Sequence, residues 1–281
     1  MSNTDYSAII IRDVEGIAEM RAVEDLQKEV WKVNDRDVVP SLMLIPAKEV
    51  GGILLGAFDE GILVGFAFGF VGLERKQVVL HSDMLAVRPA YRNHGLGYKL
   101  KLAQRERALV RGITRMTWTF DPLQCRNAHL NFAKLGVTSD AYKVDFYGAE
   151  TSSYLHQNIG TDRLWVTWEL DDWRVEQRLR RESNNEDALL AEFEKAHHLV
   201  RLRADDSPQT ASLSEIKGEQ VLIEIPPDII ALQHENLELA VRWREATRHA
   251  FSEAMAAGFI VTEFFHARRR GGGTYLLNLS K

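Results

Sequence analysis

Cysteine is almost absent from this chain of 281 residues, which carries only Cys125. A lone thiol excludes an internal disulfide and suits a reducing cytoplasm. Long apolar runs are missing as well. The longest, around Ile62 to Val71, is glycine-rich and too short to span a bilayer. The amino terminus, Met1 to Tyr6, has no basic segment followed by an apolar one, so no secretion signal is visible. Neither sign of charge dominates: the formal net charge is -5 and the pI about 6.0. That balance advertises neither a nucleic-acid nor a membrane-surface partner. What is present is ordinary globular material, 45% hydrophobic and 27% charged. The length suggests roughly two domains, each with its own core, in a soluble cytoplasmic protein.

Periodicity sketches the elements. Ala8-Ile9-Ile10-Ile11 reads as a buried strand, and Ile17, Met20, Val23, Leu26 and Val30 mark a helix with Asp13 available as its cap. Asn34 to Pro46 reads as a loop or short second helix. Ile53–Phe58 and Ile62–Phe68 are strands joined by the hairpin turn Asp59-Glu60-Gly61. Val78 to Val87 is a fourth strand. A glycine turn follows, then a helix to about Arg111, with Leu96, Leu100, Ala103 and Val110 on its apolar face and Gly112 as C-cap. Ile113–Phe120 is a strand and Asn127–Leu135 a short helix stopped by Gly136. Tyr142–Tyr147 and Arg163–Leu170 complete a first domain over 1–171. The remainder, 172–281, reads as a smaller β-α-β-β accessory domain: a strand at Val221–Ile225, a long helix over about Ala231–Ala257, and paired strands at Phe259–His266 and Thr274–Leu279.

Arg92-Asn93-His94-Gly95-Leu96-Gly97 is the most informative stretch. A strand, a glycine turn and a helix start bring orphan amides and the positive end of a helix dipole to one point, which suits a diphosphate. A tight connection without ligand is the alternative.

The order of elements and two motifs resemble the GNAT superfamily of acyl-CoA-dependent N-acetyltransferases over about residues 8–170. Leu85-Ala86-Val87-Arg88-Pro89-Ala90-Tyr91-Arg92-Asn93-His94-Gly95-Leu96-Gly97 is similar to its pyrophosphate-loop signature. Asn131-Phe132-Ala133-Lys134-Leu135-Gly136-Val137 resembles its helix-end motif. The resemblance implies an α+β, three-layer fold, a mixed twisted sheet flanked by helices. No convincing repeat links the two halves, although the second could be a degenerate β-α-β-β partner of the first. That tail looks like the one in a group of GNAT proteins known only as predicted acetyltransferases. It implies acetyl-CoA as co-substrate, with no metal. The loop Arg92, Asn93, His94, Gly95, Leu96, Gly97 and Tyr98 would hold the diphosphate, chiefly through backbone amides, with the Arg92 side chain adding a contact. Leu85, Ala86 and Val87 would pair with the pantetheine arm as an added strand, in a splay between the fourth and fifth strands. Asn127 would reach the far side of the cofactor.

Direct acyl transfer needs a base for the amine and benefits from an acid for the thiolate. His81 and Asp83, two apart on the fourth strand, share a face. The resemblance places His81, eleven positions before Arg92, near where many GNAT enzymes keep a base, with Asp83 orienting it or contacting the amine directly. The competing reading makes His81 a satisfied core histidine and Asp83 a sheet-end cap. The family's acid is commonly a tyrosine in the second motif, where this chain has Phe132. Tyr142, Tyr147 and Tyr154 are substitutes, or ordinary sheet and loop aromatics. Cys125 reads as inert and His197-His198 as a solvated helix face. Arg268-Arg269-Arg270 reads as a solvated hairpin tip. The loop from Gly148 to Asp162, with Ser152, Ser153, His156 and Asn158, stands where GNAT proteins cover the acceptor. The expected activity is N-acetylation of a small-molecule amine, with the accessory domain shaping the pocket or forming a homodimer contact. A silent acyl-CoA-binding module and a transferase with another acyl donor are the alternatives.

Overall fold

The computed structural model describes residues 8–148, 159–180, 196–216, 218–266 and 272–280. Contacts divide these into two compact units. The first runs to Trp118 and takes in Glu169–Asp171; the second holds the described residues from Thr119 onward apart from those three. The division does not follow the expected boundary at 171–172.

The first unit is a meander. β1 (Ile10–Asp13), β2 (Ile53–Asp59), β3 (Ile62–Glu74) and β4 (Gln77–Val87) pair antiparallel in sequence order, and β5 (Arg115–Phe120) lies parallel beside β4. The β2–β3 turn is tight because Glu60 and Gly61 take φ of 48° and 82°, the left-handed pair a type I′ turn requires. Helices α1 (Gly16–Trp31) and α2 (Ser41–Glu49) cover one sheet face. Met20, Val23, Leu26 and Val30 of α1 and Leu44 and Ala47 of α2 share a core with Leu54, Phe66, Phe68, Met84 and Ala86. Helix α3 (Leu96–Val110) packs on β2, β3 and β4. Helices over a mixed sheet make this the expected α+β architecture.

Three expectations fail in the first unit. β1 is an edge strand, with Ile10 63% exposed, because only β2 pairs with it among the described residues. Asp13 does not cap α1: Glu15 holds the N-cap position without a side-chain bond, and Asp13 meets Arg107 at 3.4 Å. The buried face of α3 is Leu96, Leu100, Lys101, Gln104 and Ala108, whereas Val110 is 88% exposed.

The strands of the second unit run in the order β7 (Arg163–Glu169), β6 (Thr138–Lys143), β11 (Phe259–His266), β12 (Gly273–Leu279), β10 (Gln220–Ile225), β8 (His197–Leu202) and β9 (Pro208–Thr210). Val261 of β11 pairs with Ser139 of β6, which explains why the contacts join 119–168 to the C-terminal region. Helix α4 (Cys125–Ala128) passes into a π-helical turn, His129–Leu135, and Gly136 ends it at φ 74°. Helix α5 (Trp173–Arg180) follows β7.

The expected long C-terminal helix is two, α6 (Ile229–Glu235) and α7 (Leu237–Ala256). Asn236 breaks it with φ -153°, and its side chain accepts from Leu239 N at 3.1 Å. His197 and His198 open β8 rather than a helix, and His198 Nε2 lies 3.1 Å from Glu224. The strand expected at 142–147 runs from 138 to 143. No helix among the described residues is long and apolar enough to cross a membrane.

Candidate functional site

β4 and β5 pair only at Leu80–Met116 and His81–Thr117. Beyond that point β4 stays paired to β3 as far as Val87, while no strand among the described residues takes its other edge. A bulge marks the parting. Phe70 opposes His81 and Phe68 opposes Met84, so Gly69 alone faces Ser82 and Asp83. The extra residue increases local twist and bends the strand. Gly69 is required there, since an added Cβ would stand 2.9 Å from the His81 carbonyl oxygen. Gly69→Ala should therefore cost about 1–3 kcal/mol by overpacking, read as a shift in the denaturation midpoint. An unchanged midpoint would show the bulge to be compliant.

The bulge also breaks the alternation on which a shared face for His81 and Asp83 depends. The His81 ring packs on Phe70, with centroids 5.3 Å apart, and its Nδ1 lies 3.0 Å from Thr117 Oγ1. Burial, aided by the nearby Lys101 charge, lowers its pKa to about 4. Asp83 differs. Its surface is open to solvent, yet enough protein surrounds it that desolvation raises its carboxyl pKa.

At the end of β4 the chain turns through a 3₁₀ segment, Pro89–Tyr91. The Tyr91 hydroxyl donates to Asp59 at 2.6 Å, and Arg92 Nε donates to the Val87 carbonyl at 3.0 Å, pinning the turn to the sheet. Asn93 and Gly95 take φ of 69° and 74°. Helix α3 then starts with no side-chain cap, and its Lys99 N–H bonds back to the Gly95 carbonyl. The amides of Leu96, Gly97 and Tyr98 in that first turn precede any intrahelical acceptor. Gly97 is not demanded by packing, for an added Cβ would meet nothing nearer than Leu85 at 3.7 Å. Its bareness leaves space over the helix end. His94 is exposed beside it.

Behind the bulge lies a buried polar cluster absent from the sequence-based list. Lys101 Nζ donates to Ser82 Oγ at 2.7 Å, and Ser82 Oγ donates to Gln104 Oε1 at 2.7 Å. A signal existed: Gly97, Lys101, Gln104 and Ala108 step by four, three and four along α3, so two polar residues share a helical face with small ones.

The other candidates belong to the second unit. Asn127 is exposed on α4. Phe132 is fully buried between Phe120 and Tyr275, with centroids at 6.2 and 5.7 Å. The Tyr142 hydroxyl donates to Asp162 at 2.6 Å and its ring stacks on Phe251; burial raises its pKa well above the usual phenol value. Asp162 also receives Arg248, and Arg244 is paired with Asp121 at 2.7 Å. Tyr147 lies 3.3 Å from Thr119 Oγ1. The Cys125 thiol is buried, 3.7 Å from His266 Nδ1, and burial pushes its pKa up to about 11. Tyr154, Ser152, Ser153, His156, Asn158 and Arg268–Arg270 lie outside the described residues. Among the described residues, no group of three His, Cys, Asp or Glu side chains is placed to hold a metal ion.

Comparison with known proteins adds the following. The family model described as Acetyltransferase (GNAT) family matches residues 20–137. No protein of curated function matches the chain. Solved structures similar to it include an assigned acetyltransferase from Salmonella typhimurium with its cofactor acetyl-CoA, 20% identical, covering 58% of this chain and 95% of that one at a TM-score of 0.45. A GNAT-family acetyltransferase from Streptococcus pneumoniae is 18% identical, covering 57% and 98% at 0.46. An aminoglycoside 6′-acetyltransferase of type Ii is 16% identical, covering 58% and 97% at 0.44. The matched segment contains the parted strands, the glycine turn and the helix-end motif, and over residues 20–137 the chain is similar to the GNAT acetyltransferase family.

Proposed function

We propose that the protein is an acetyl-CoA-dependent N-acetyltransferase in which a small-molecule amine attacks the thioester directly. The observation that carries this is the edge of β4 from Ser82 to Val87, which no strand among the described residues pairs, ending at the start of α3, which has no side-chain cap. An extended pantetheine arm would add to that edge as a strand, hydrogen-bonding to backbone groups of Leu85 and Val87 with Ala86 between them. The diphosphate would meet the amides of Asn93, Gly95, Leu96, Gly97 and Tyr98, favoured by the helix dipole. His94 borders this loop, and Arg92, tied through Nε to the strand end, stabilises it and offers its remaining N–H groups to phosphate. Asn127 is assigned a supporting contact by motif alone.

Of the two candidate bases, Asp83 fits better. An imidazole whose pKa has fallen to about 4 is neutral at physiological pH but too weak a base to hold a proton taken from an ammonium. A carboxylate made more basic by desolvation is better matched. Tyr142 is bound to Asp162 and is not needed in this scheme.

Isothermal calorimetry with acetyl-CoA and CoA should show binding, and an amine library should contain an acceptor that drives acetyl-CoA consumption. No heat with any acyl-CoA would overturn the reading. Phe132 favours one alternative, a silent acyl-CoA-binding module, because that position carries no hydroxyl for the leaving thiolate. Binding without turnover across the library would support it.

A further inference from the structure

Lys101 is 2% exposed, and no carboxylate pairs with it among the described residues. A buried cation normally has a counter-charge, because desolvation alone costs several kcal/mol per ion (~order of magnitude). Here the amine instead spans the point where the two strands separate. Its Nζ is 2.7 Å from Ser82 Oγ in the bulge of β4, and 3.7 Å from the ring of Trp118, the residue of β5 just past the last pair with β4. Gln104, fully buried, accepts the Ser82 proton, yet its own Nε2 has no partner among the described residues. Turning that amide over would place Nε2 against Ser82 Oγ and release the hydroxyl proton for another acceptor.

We propose that Ser82 gives the departing thiolate its proton, and that Lys101 is the positioning residue behind it that restores the proton to Ser82. This rests on reading the β4–β5 cleft as the thioester site. In the step, the amine nitrogen bonds to the carbonyl carbon, the carbon–sulfur bond breaks, and sulfur keeps the electron pair. Sulfur takes the Ser82 hydroxyl proton as the Lys101 ammonium passes one to Oγ. The proton shed by the acceptor nitrogen leaves through Asp83 to solvent, and solvent returns one to Lys101. One proton is lost from nitrogen and one is gained by sulfur, so the step balances. It supplies the acid that Phe132 cannot.

Energetics allow the exchange. Burial lowers the Lys101 pKa to about 7, so both forms are populated near neutrality. The titratable group facing it is His81 on β4, and Lys101 helps hold that ring neutral. Burial alone accounts for the Lys101 shift, with no contribution from charged groups on α3, β2, β3 or β5.

The test compares wild type, Lys101→Met and Ser82→Ala, using acetyl-CoA and its selenoester analogue with the acceptor found in the amine screen. Both variants should bind acetyl-CoA as wild type does in calorimetry, while kcat with the thioester falls roughly 10²–10⁴-fold. Wild-type kcat should decline as pH rises through the Lys101 pKa, because the proton source is lost, and that decline should vanish in Lys101→Met. The selenoester should restore the variants' rate, since the more acidic selenol leaves without an acid. A wild-type kcat in Lys101→Met, or an equal loss with both esters, would overturn the proposal. If Lys101→Met does not fold, Ser82→Ala decides by the same two readouts. Should wild type bind no acyl-CoA, or consume it with no amine, this proposal falls together with the assigned function. A wild type that works beside insensitive variants removes this proposal alone.

Discussion

Replacing Arg244 by methionine is expected to destabilise the second unit by about 3–5 kcal/mol, the range for stranding one member of a buried ion pair. Arg244 and Asp121 are 3% and 2% exposed at their side chains, and Arg244 Nη2 donates to Asp121 Oδ2 at 2.7 Å. Arg244 Nε also donates to the Ile159 carbonyl at 3.0 Å, and Asp121 Oδ1 accepts from Leu123 N at 2.9 Å. Burial disfavours the cation, but Asp121 more than offsets it, and the guanidinium is held above its ordinary pKa. Methionine fills the space and removes the charge, so the buried Asp121 carboxylate loses its hydrogen-bonded cation and keeps the influence of the buried Arg163 charge. Asp121 would then have a folded-state pKa above its unfolded value. Its protonated form is the cheaper one to bury, so the deficit should shrink at acidic pH and be largest at neutral and alkaline pH. Adding Asp121→Asn should recover most of the loss, because the carboxylate that lost its hydrogen-bonded cation is then neutral. Urea denaturation of both variants across pH measures this. A deficit below about 1 kcal/mol, the size of an ordinary surface substitution, would sink the claim, as would a double variant no better than the single.

That ion pair illustrates where sequence reading stops. Glu60-Gly61, Gly95 and Gly136 were legible because a left-handed φ is a local demand with few residues able to meet it. The succession of elements in the first unit followed from hydrophobic runs and turns, and the bend from β4 into α3 from its glycines. Long-range pairing left no such mark. The bulge at Ser82–Asp83 arises from the close approach of Gly69 on a neighbouring strand, and it shifts faces that a strict two-residue period assigns. His198 follows a charged segment in sequence, and its place on β8 is set by Glu224, 26 positions away. Asn236 breaks a helix that apolar periodicity reads as continuous, because a side-chain cap is compatible with both states until packing decides. Lys101 was hidden for another reason. A lysine beside an apolar stripe is normally solvated, and only the missing carboxylate and the tight Ser82 contact identify it as buried.

Asp83→Asn should lower kcat roughly 10²–10⁴-fold, the usual worth of a positioned base, while leaving acetyl-CoA affinity near the wild-type value. The acceptor amine arrives largely as ammonium at neutral pH and must lose a proton before or during attack. Asparagine keeps the shape of aspartate but cannot take that proton. Because desolvation raises the Asp83 carboxyl pKa, the wild-type rate should climb with pH through that raised value, as the carboxylate forms. In Asp83→Asn the climb should flatten, leaving only the titration of the amine itself. His81→Gln provides the contrast. With its pKa at about 4 and its Nδ1 engaged with Thr117, the ring should contribute little basicity, so this variant should retain the acidic limb and most of the rate. Stopped assays of acetyl-CoA consumption over the acidic to neutral range distinguish the two residues. A wild-type rate in Asp83→Asn, or loss of the acidic limb in His81→Gln alone, would move the base from the bulge to the paired end of β4. The bulge would then serve only to part the strands.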